Sequence, residues 1–360
     1  MSITYTAAVV GCGGIARAHA QGYADTGRCE VVACADIFME SAIAFSEQFN
    51  VPHVFTDYKE MMEQIRPDLV SVCTHHHLHH SITMELAAYK PKAIYCEKPM
   101  ALTMAEANEM AAICEENDVM LIIGHQRRYG AQYAAAKELL DQGQIGELHH
   151  MECYAHPWTS LLVDGTHSID LLRYYNNDNP ISWVFGQVDA SGGSFRFGHP
   201  NESASLAMFG FDNGVRATLT TGGFSRSRSA YPARDAESLG SYVAPSGYHR
   251  IVLHGTTGRI EIDGDDVVNG RPIVRIHRGG QEEGFKVPFK SVNSIERVVT
   301  DLIHTLEDGK PHLLNAQSGR AALEVIVAIF QSAEERKIVY LPLTEERNPL
   351  FELLKDQIKA

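Results

Sequence analysis

The residues best placed to do chemistry in this 360-residue chain begin near its start. Ala7–Ala16 reads AAVVGCGGIA, an apolar run followed by Gly11-x-Gly13-x-x-Ala16 and an alanine-rich stretch. Gly11 permits a tight turn, Gly13 lets backbone approach a pyrophosphate, and Ala16 still allows close helix–strand packing. Gly14 and Ile15 open the helix whose first amides would face the phosphates. The turn is therefore read as a dinucleotide site, the alternative being a glycine-rich turn in an unliganded α/β domain. Asp36 ends the second apolar run, at the distance where a carboxylate accepts from both hydroxyls of an adenosine ribose. It would repel a 2′-phosphate, and the following Ile37 and Phe38 bring no cation to offset one. The expected cofactor is NAD rather than NADP. Further on, His75-His76-His77-Leu78-His79-His80 has residue types that bind metals. His75 with His79, or His76 with His80, could share a helical face, but no acidic co-ligand accompanies them. No metal is expected, and the run is read as lining a cofactor or as a polar turn.

The elements that must hold these residues follow from periodicity. The first third alternates short apolar runs (Thr6–Val10, Val31–Asp36, Leu69–Thr74, Ala93–Cys96, Val119–Gly124, a weaker one near Val54) with amphipathic stretches. Near-continuous apolar runs are what parallel strands buried on both faces require. The intervening helices are expected at Ile15–Asp25, Glu40–Phe49, Tyr58–Ile65, Ser81–Tyr89 and Met104–Asn117, the last opened by a Thr103/Glu106 capping box. Such alternation predicts right-handed crossovers and a Rossmann-type doubly wound sheet over residues 1–125. After about Gln126 a helix (Gln132–Gln142) leads into period-two alternation at Ser205–Phe211, Val215–Thr221, Arg250–Leu253 and Arg259–Ile262. Asp212-Asn213-Gly214 reads as a hairpin turn. With helices at Ser294–Asp308 and Ser318–Glu335, residues 126–360 are expected to form an α+β domain on an open, mostly antiparallel sheet. Gly222–Tyr248 carries Arg226, Arg228, Arg234, Tyr231 and Tyr242 without periodicity. It is read as a site cover or an inter-subunit arm.

Tyr95–Met100, YCEKPM, follows a strand at the sheet edge where α/β ligands bind. Glu97-Lys98-Pro99 in this place resembles the signature of the Gfo/Idh/MocA family, named for glucose–fructose oxidoreductase and inositol dehydrogenase. The turn ending in His77-Leu78-His79, the junction at Gly124–Gly146, the segment Gly165–Leu172 (GTHSIDLL) and the stretch Gly319–Leu343 resemble further family features in the same order. The resemblance implies hydride transfer between nicotinamide and a hydroxyl or carbonyl carbon, commonly of a sugar or cyclitol. It implies Glu97 near the nicotinamide ribose, Lys98 facing the substrate hydroxyl, and Thr74, His76 and His79 as candidates for cofactor contact. An ammonium at Lys98 beside a secondary alcohol would stabilise the alkoxide that develops as hydride leaves. His167 is the natural proton acceptor, because imidazole titrates near the working pH. Many family members place an Asp four residues before this His, with one residue between Asp and Gly. Here Val163 has that spacing and Asp164 directly precedes Gly165, so Asp164 reaches the site only through a local shift. Trp158 offers an aromatic plane to a sugar's apolar face, or to the core.

Composition bounds the rest. With 45 acidic and 31 basic residues the net charge is −14, which disfavours binding to phosphate backbones. Seven cysteines without a C-x-x-C pair suit neither a disulfide framework nor a cysteine zinc site. No apolar stretch approaches the ~20 residues of a membrane span, and Met1–Thr4 does not read as a signal peptide. A cytoplasmic homodimer or homotetramer acting on a small molecule is expected, the oligomer by family analogy. Two rivals keep the fold: an enzyme that uses NAD transiently to cleave a glycosidic bond by oxidation, elimination and reduction, and a non-catalytic ligand sensor.

Overall fold

Two kinds of apolar patterning produce two kinds of sheet in this computed structural model. It describes residues 5–156, 159–191, 193–225, 249–264, 273–285, 287, 294–344 and 346–355. The strands are β1 (Tyr5–Val10), β2 (Cys29–Ala35), β3 (His53–Phe55), β4 (Leu69–Val72), β5 (Ala93–Cys96), β6 (Met120–Ile123), β7 (Leu148–Tyr154), β8 (Ile181–Asp189), β9 (Ser194–Arg196), β10 (His199–Asn201), β11 (Ala204–Phe211), β12 (Arg216–Gly222), β13 (Arg250–Gly255), β14 (Gly258–Ile262), β15 (Val274–Arg278), β16 (Gln281–Phe285) and β17 (Val339–Tyr340). The helices are α1 (Gly14–Asp25), α2 (Met39–Phe49), α3 (Tyr58–Ile65), α4 (His79–Ala87), α5 (Met104–Glu116), α6 (Ala131–Asp141), α7 (Thr166–Tyr175), α8 (Ser294–Asp308), α9 (Ala316–Glu335) and α10 (Leu350–Leu353). Packing divides the chain into residues 1–129 with 290–321, and residues 130–289 with 322–360.

In the first unit six parallel strands run in the order β3-β2-β1-β4-β5-β6. β4 and β5 are buried at every position, as strands covered on both faces must be. The strand order reverses direction between β1 and β4, which is where open α/β sheets form their ligand crevice. The capping box of Thr103 and Glu106 opens α5 as its spacing predicts. Helix α8 belongs to this unit, although the sequence reading groups it with the second domain. Its apolar residues Ile295, Val298, Val299, Leu302 and Ile303 recur at helical spacing and join Tyr23, Tyr95 and Ile122 in one core. Gly22 on α1 makes room for it, since a Cβ there would meet Ile295 Cγ2 at 2.8 Å.

The second unit holds a nine-stranded sheet, β16-β15-β14-β13-β7-β12-β11-β8-β17, among the described residues. Every neighbouring pair is antiparallel except β7 with β12. On β12, Ala217, Leu219 and Thr221 are buried while Arg216, Thr218 and Thr220 face outward, the alternation of a one-sided core. Helix α9 lies on the buried side of β8. Gly186 leaves space for Ile329, whose Cγ2 a Cβ would meet at 2.7 Å, and its N–H donates to Ser332 Oγ (2.9 Å). Gly214, at φ +91°, closes the expected hairpin between β11 and β12. On the other face, Phe185, Leu206, Met208 and Tyr340 are exposed. Register puts them together: Met208 opposes Phe185, and Tyr340 opposes Trp183 one pleat along β8. β7, β8, β15 and β16 are strands that the sequence reading does not name. Of the segment Gly222–Tyr248, residues 226–248 lie outside the described residues.

Candidate functional site

In the first unit, the candidate residues gather at the carboxyl ends of the strands. Gly11 takes φ +87°, and a Cβ on it would meet the Cys73 carbonyl at 2.9 Å, so only glycine lets the β1 and β4 turns approach. Above Gly13 and Gly14 a Cβ would meet nothing within 4 Å. No side chain caps the first turn of α1, whose amides carry the positive end of the helix dipole. Asp36 stitches this loop together: Oδ2 accepts from Cys12 N–H (2.8 Å) and Oδ1 from Phe38 N–H (2.9 Å). Each carboxylate oxygen keeps a second lone pair, enough for a ribose diol. Thr74 Oγ1 is buried with no hydrogen-bond partner among the described residues. These features fit a dinucleotide whose pyrophosphate lies on α1 and whose ribose lies at Asp36.

Glu97 and His79, both expected at the cofactor, are buried and bonded within the protein. Glu97 is buried, and its Oε1 lies 3.0 Å from His19 Nε2. His19 Nδ1 reaches Ser71 Oγ (2.9 Å), which also meets the Tyr23 hydroxyl (2.9 Å). Burial pushes the Glu97 carboxyl up, but the hydrogen bond from His19 and the charges of His19, Lys98 and His79 outweigh it and hold it below its ordinary value. Gly124 permits this, since a Cβ there would lie 2.7 Å from Glu97 Oε1. The His79 ring is buried, with Nδ1 2.8 Å from the Pro99 carbonyl and Nε2 3.2 Å from that of Thr74. Burial holds it below its ordinary pKa, against the bonds to the Pro99 and Thr74 carbonyls. Together Glu97 and His79 fix the turn from which the half-buried Lys98 projects. His76 is also mostly buried, its ring 5.7 Å from that of His79. His80 pairs with Glu109 (2.7 Å). Among the described residues no group of His, Cys, Asp or Glu is placed to hold a metal ion.

In the second unit, the chain reaches α7 through a turn of π-helix, Leu161–Gly165, closed by the bond from Gly165 N–H to the Ser160 carbonyl (3.0 Å). His167, on the first turn of α7, is 1% exposed. Asp164 Oδ2 lies 3.1 Å from Nε2 of His249, whose Nδ1 is 2.6 Å from Ser168 Oγ. The His249 ring meets the His167 ring edge-on, with centroids 5.9 Å apart. His249 holds a left-handed φ of +48°, uncommon for a residue with a side chain. Asp164 thus joins the histidine cluster despite its shifted spacing, through a residue that sequence reasoning missed. His249 stands alone before β13, and no local spacing ties it to Asp164. A single π turn of this kind is frequent where function bends a helix. Trp158 lies outside the described residues.

A doubly wound parallel sheet, a glycine turn open above the first turn of α1 and an acid at the end of β2 are the features of the NAD-binding Rossmann class. A model of the oxidoreductase family with the NAD-binding Rossmann fold matches residues 5–125, and that of the family's C-terminal domain matches residues 133–261. The chain belongs to the Gfo/Idh/MocA family. A myo-inositol 2-dehydrogenase of Thermotoga maritima is 24% identical over 351 residues, covering 92% of this chain and 97% of the relative. A D-apiose dehydrogenase of Paraburkholderia graminis is 23% identical, covering 96% and 92%. A levoglucosan dehydrogenase solved with NADH and levoglucosan has a TM-score of 0.76 at 18% identity, covering 94% of this chain and all of its own, a likeness of fold.

Proposed function

We propose that the protein transfers hydride between NAD(H) and a secondary hydroxyl or keto carbon of a sugar, sugar derivative or cyclitol. Residues 1–125 serve in this reading as the cofactor domain and 126–360 as the substrate and assembly domain. The observation that carries it is the buried cluster of His167, His249 and Asp164, an acid–base group that mere ligand sensing would not need. The relatives' names, dehydrogenases of a cyclitol and a sugar, support the substrate class. When bound, NAD supplies the hydride acceptor. Gly11, Gly13, Gly14 and Ile15 hold its pyrophosphate and Asp36 its adenosine ribose. Thr74 and His76 are the contacts we propose along the β4 edge. Lys98 stabilises the alkoxide that develops on the substrate, His167 takes the hydroxyl proton, and Asp164 with His249 orients that base. Trp158 is proposed to contact substrate.

A panel of cyclitols, aldoses and anhydrosugars, read by NADH absorbance and by product analysis, tests the reading. Stoichiometric NADH release with one member is expected, together with tighter calorimetric binding of NAD than of NADP. Bond cleavage of a glycoside without net NADH would overturn the dehydrogenase assignment, and equal binding of both nucleotides would remove Asp36 as the discriminator.

A further inference from the structure

Between β10 and β11 stands Glu202, a carboxylate with no place in the chemistry above. It is 4% exposed. Its Oε1 accepts from Leu161 N–H (2.6 Å) and from Ser205 Oγ (3.0 Å), while its buried Oε2 has no hydrogen-bond partner among the described residues. Burial pushes the carboxyl up to about 7, against the opposing bonds from the Leu161 amide, its own amide and Ser205. A buried carboxyl bonded on one side only is unfavourable, so stability alone does not explain an acid here.

What it grips is informative. The N–H of Leu161 and the C=O of Ser160 belong to one planar peptide group. That same carbonyl accepts from the amides of Asp164 (3.2 Å) and Gly165 (3.0 Å), so this peptide closes the π turn. A carboxylate on the N–H end polarises the group and strengthens its carbonyl as an acceptor. The neighbouring Asn201 completes the grip: Ser160 Oγ donates to Asn201 Oδ1 (2.7 Å), and Asn201 Nδ2 donates to the His199 carbonyl (3.0 Å). Hydrogen bonds therefore run from Glu202 through one peptide to the amides of Asp164 and Gly165 at the start of α7, where Asp164 Oδ2 stands 3.1 Å from His249 Nε2 and Ser168, next to His167, bonds the same ring.

We propose that Glu202 is a positioning residue of the active site: by holding the Ser160–Leu161 peptide it sets the π turn that places Asp164 and His167. This rests on the reading of those two residues as acid–base groups. A misplacement of about 1 Å in such groups lowers turnover by roughly 10².

Glu202→Gln keeps an acceptor oxygen, Glu202→Leu removes it, and Glu202→Asp falls short by one methylene. With NAD and the panel member that turns over, Glu202→Gln should keep kcat within about threefold of wild type. Glu202→Leu and Glu202→Asp should lose roughly 10- to 100-fold in kcat, with KM and NAD affinity little changed. A second readout needs no turnover. The ¹⁵N-imidazole resonances of His167 and His249 in the full-length protein, assigned through His167→Asn and His249→Asn, should move in the Leu and Asp variants but hold in Gln. Should Glu202→Leu fail to fold, Glu202→Asp carries the comparison. Wild-type kcat and unmoved resonances in the shortened or apolar variants would sink the proposal, as would a loss in Gln equal to that in Leu. If no panel member turns over, the proposed function fails while the imidazole resonances still decide the role of Glu202.

Discussion

Lys98 and His167 carry the sharpest expectation at the scale of single residues. Lys98→Met keeps the stem's bulk but removes the cation, and His167→Asn keeps a polar side chain but removes the titrating base. Each should lower single-turnover hydride transfer by roughly two to four powers of ten. The double variant should lose less than the product of the two effects, since groups acting as one unit are not additive. NAD affinity should hold in His167→Asn. A near-normal rate there would pass the role of base to Asp164 with His249. Which residues were legible beforehand follows from how local their chemistry is. The glycine turn and Asp36 announce themselves because strand, turn and helix start are contiguous. The inward roles of Glu97 and His79 were hidden, since the one depends on His19, 78 positions away, and the other on Pro99, 20 positions away. His249 bonds Ser168 from 81 positions away, a partnership that only the folded sheet creates.

At the scale of the element, the π turn and the start of β11 link protonation to stability. Glu202 has its folded pKa raised to about 7 from an ordinary 4.5. The native state therefore binds more protons than the unfolded chain between those values, and stability declines as pH rises through that window. Glu202→Gln removes the dependence. The variant's melting temperature should gain on wild type between about pH 4.5 and 7 and keep a constant lead above it, by at most about 3 kcal/mol in stability. Parallel melting curves for the two proteins across that range would contradict the buried, raised carboxyl. The legibility of elements divides by pattern. Continuous apolar runs in the first unit gave every strand of its sheet within a residue or two. β7, rich in His and Glu (LHHMECY), and β8, interrupted by Gly186, were not named. Their outward positions look like those of a loop, and their burial depends on α7 and α9 arriving from elsewhere in the chain.

For the whole molecule, we propose that a second copy covers the outer face of the nine-stranded sheet. The apolar patch of Phe185, Leu206, Met208 and Tyr340 is contiguous and open. Farther along the same face lie Glu152, held down to about 2 chiefly by its bond from His254, and Arg250. A face carrying apolar surface and both charges can match itself about a two-fold axis. Sedimentation should find a dimer or tetramer in the wild type, and Met208→Asp should shift it to smaller species. A wild-type monomer, or a variant that assembles unchanged, would remove the proposal.

All seven cysteines are free thiols shut inside the protein, six of them in the first unit and Cys153 alone in the second. A thiol reagent therefore meets no reactive sulfur until some part of the fold opens. The protein carries its own clock of local opening. Modification at Cys153 times the nine-stranded sheet, and modification at the other six times the nucleotide fold, each read by mass on one unlabelled chain.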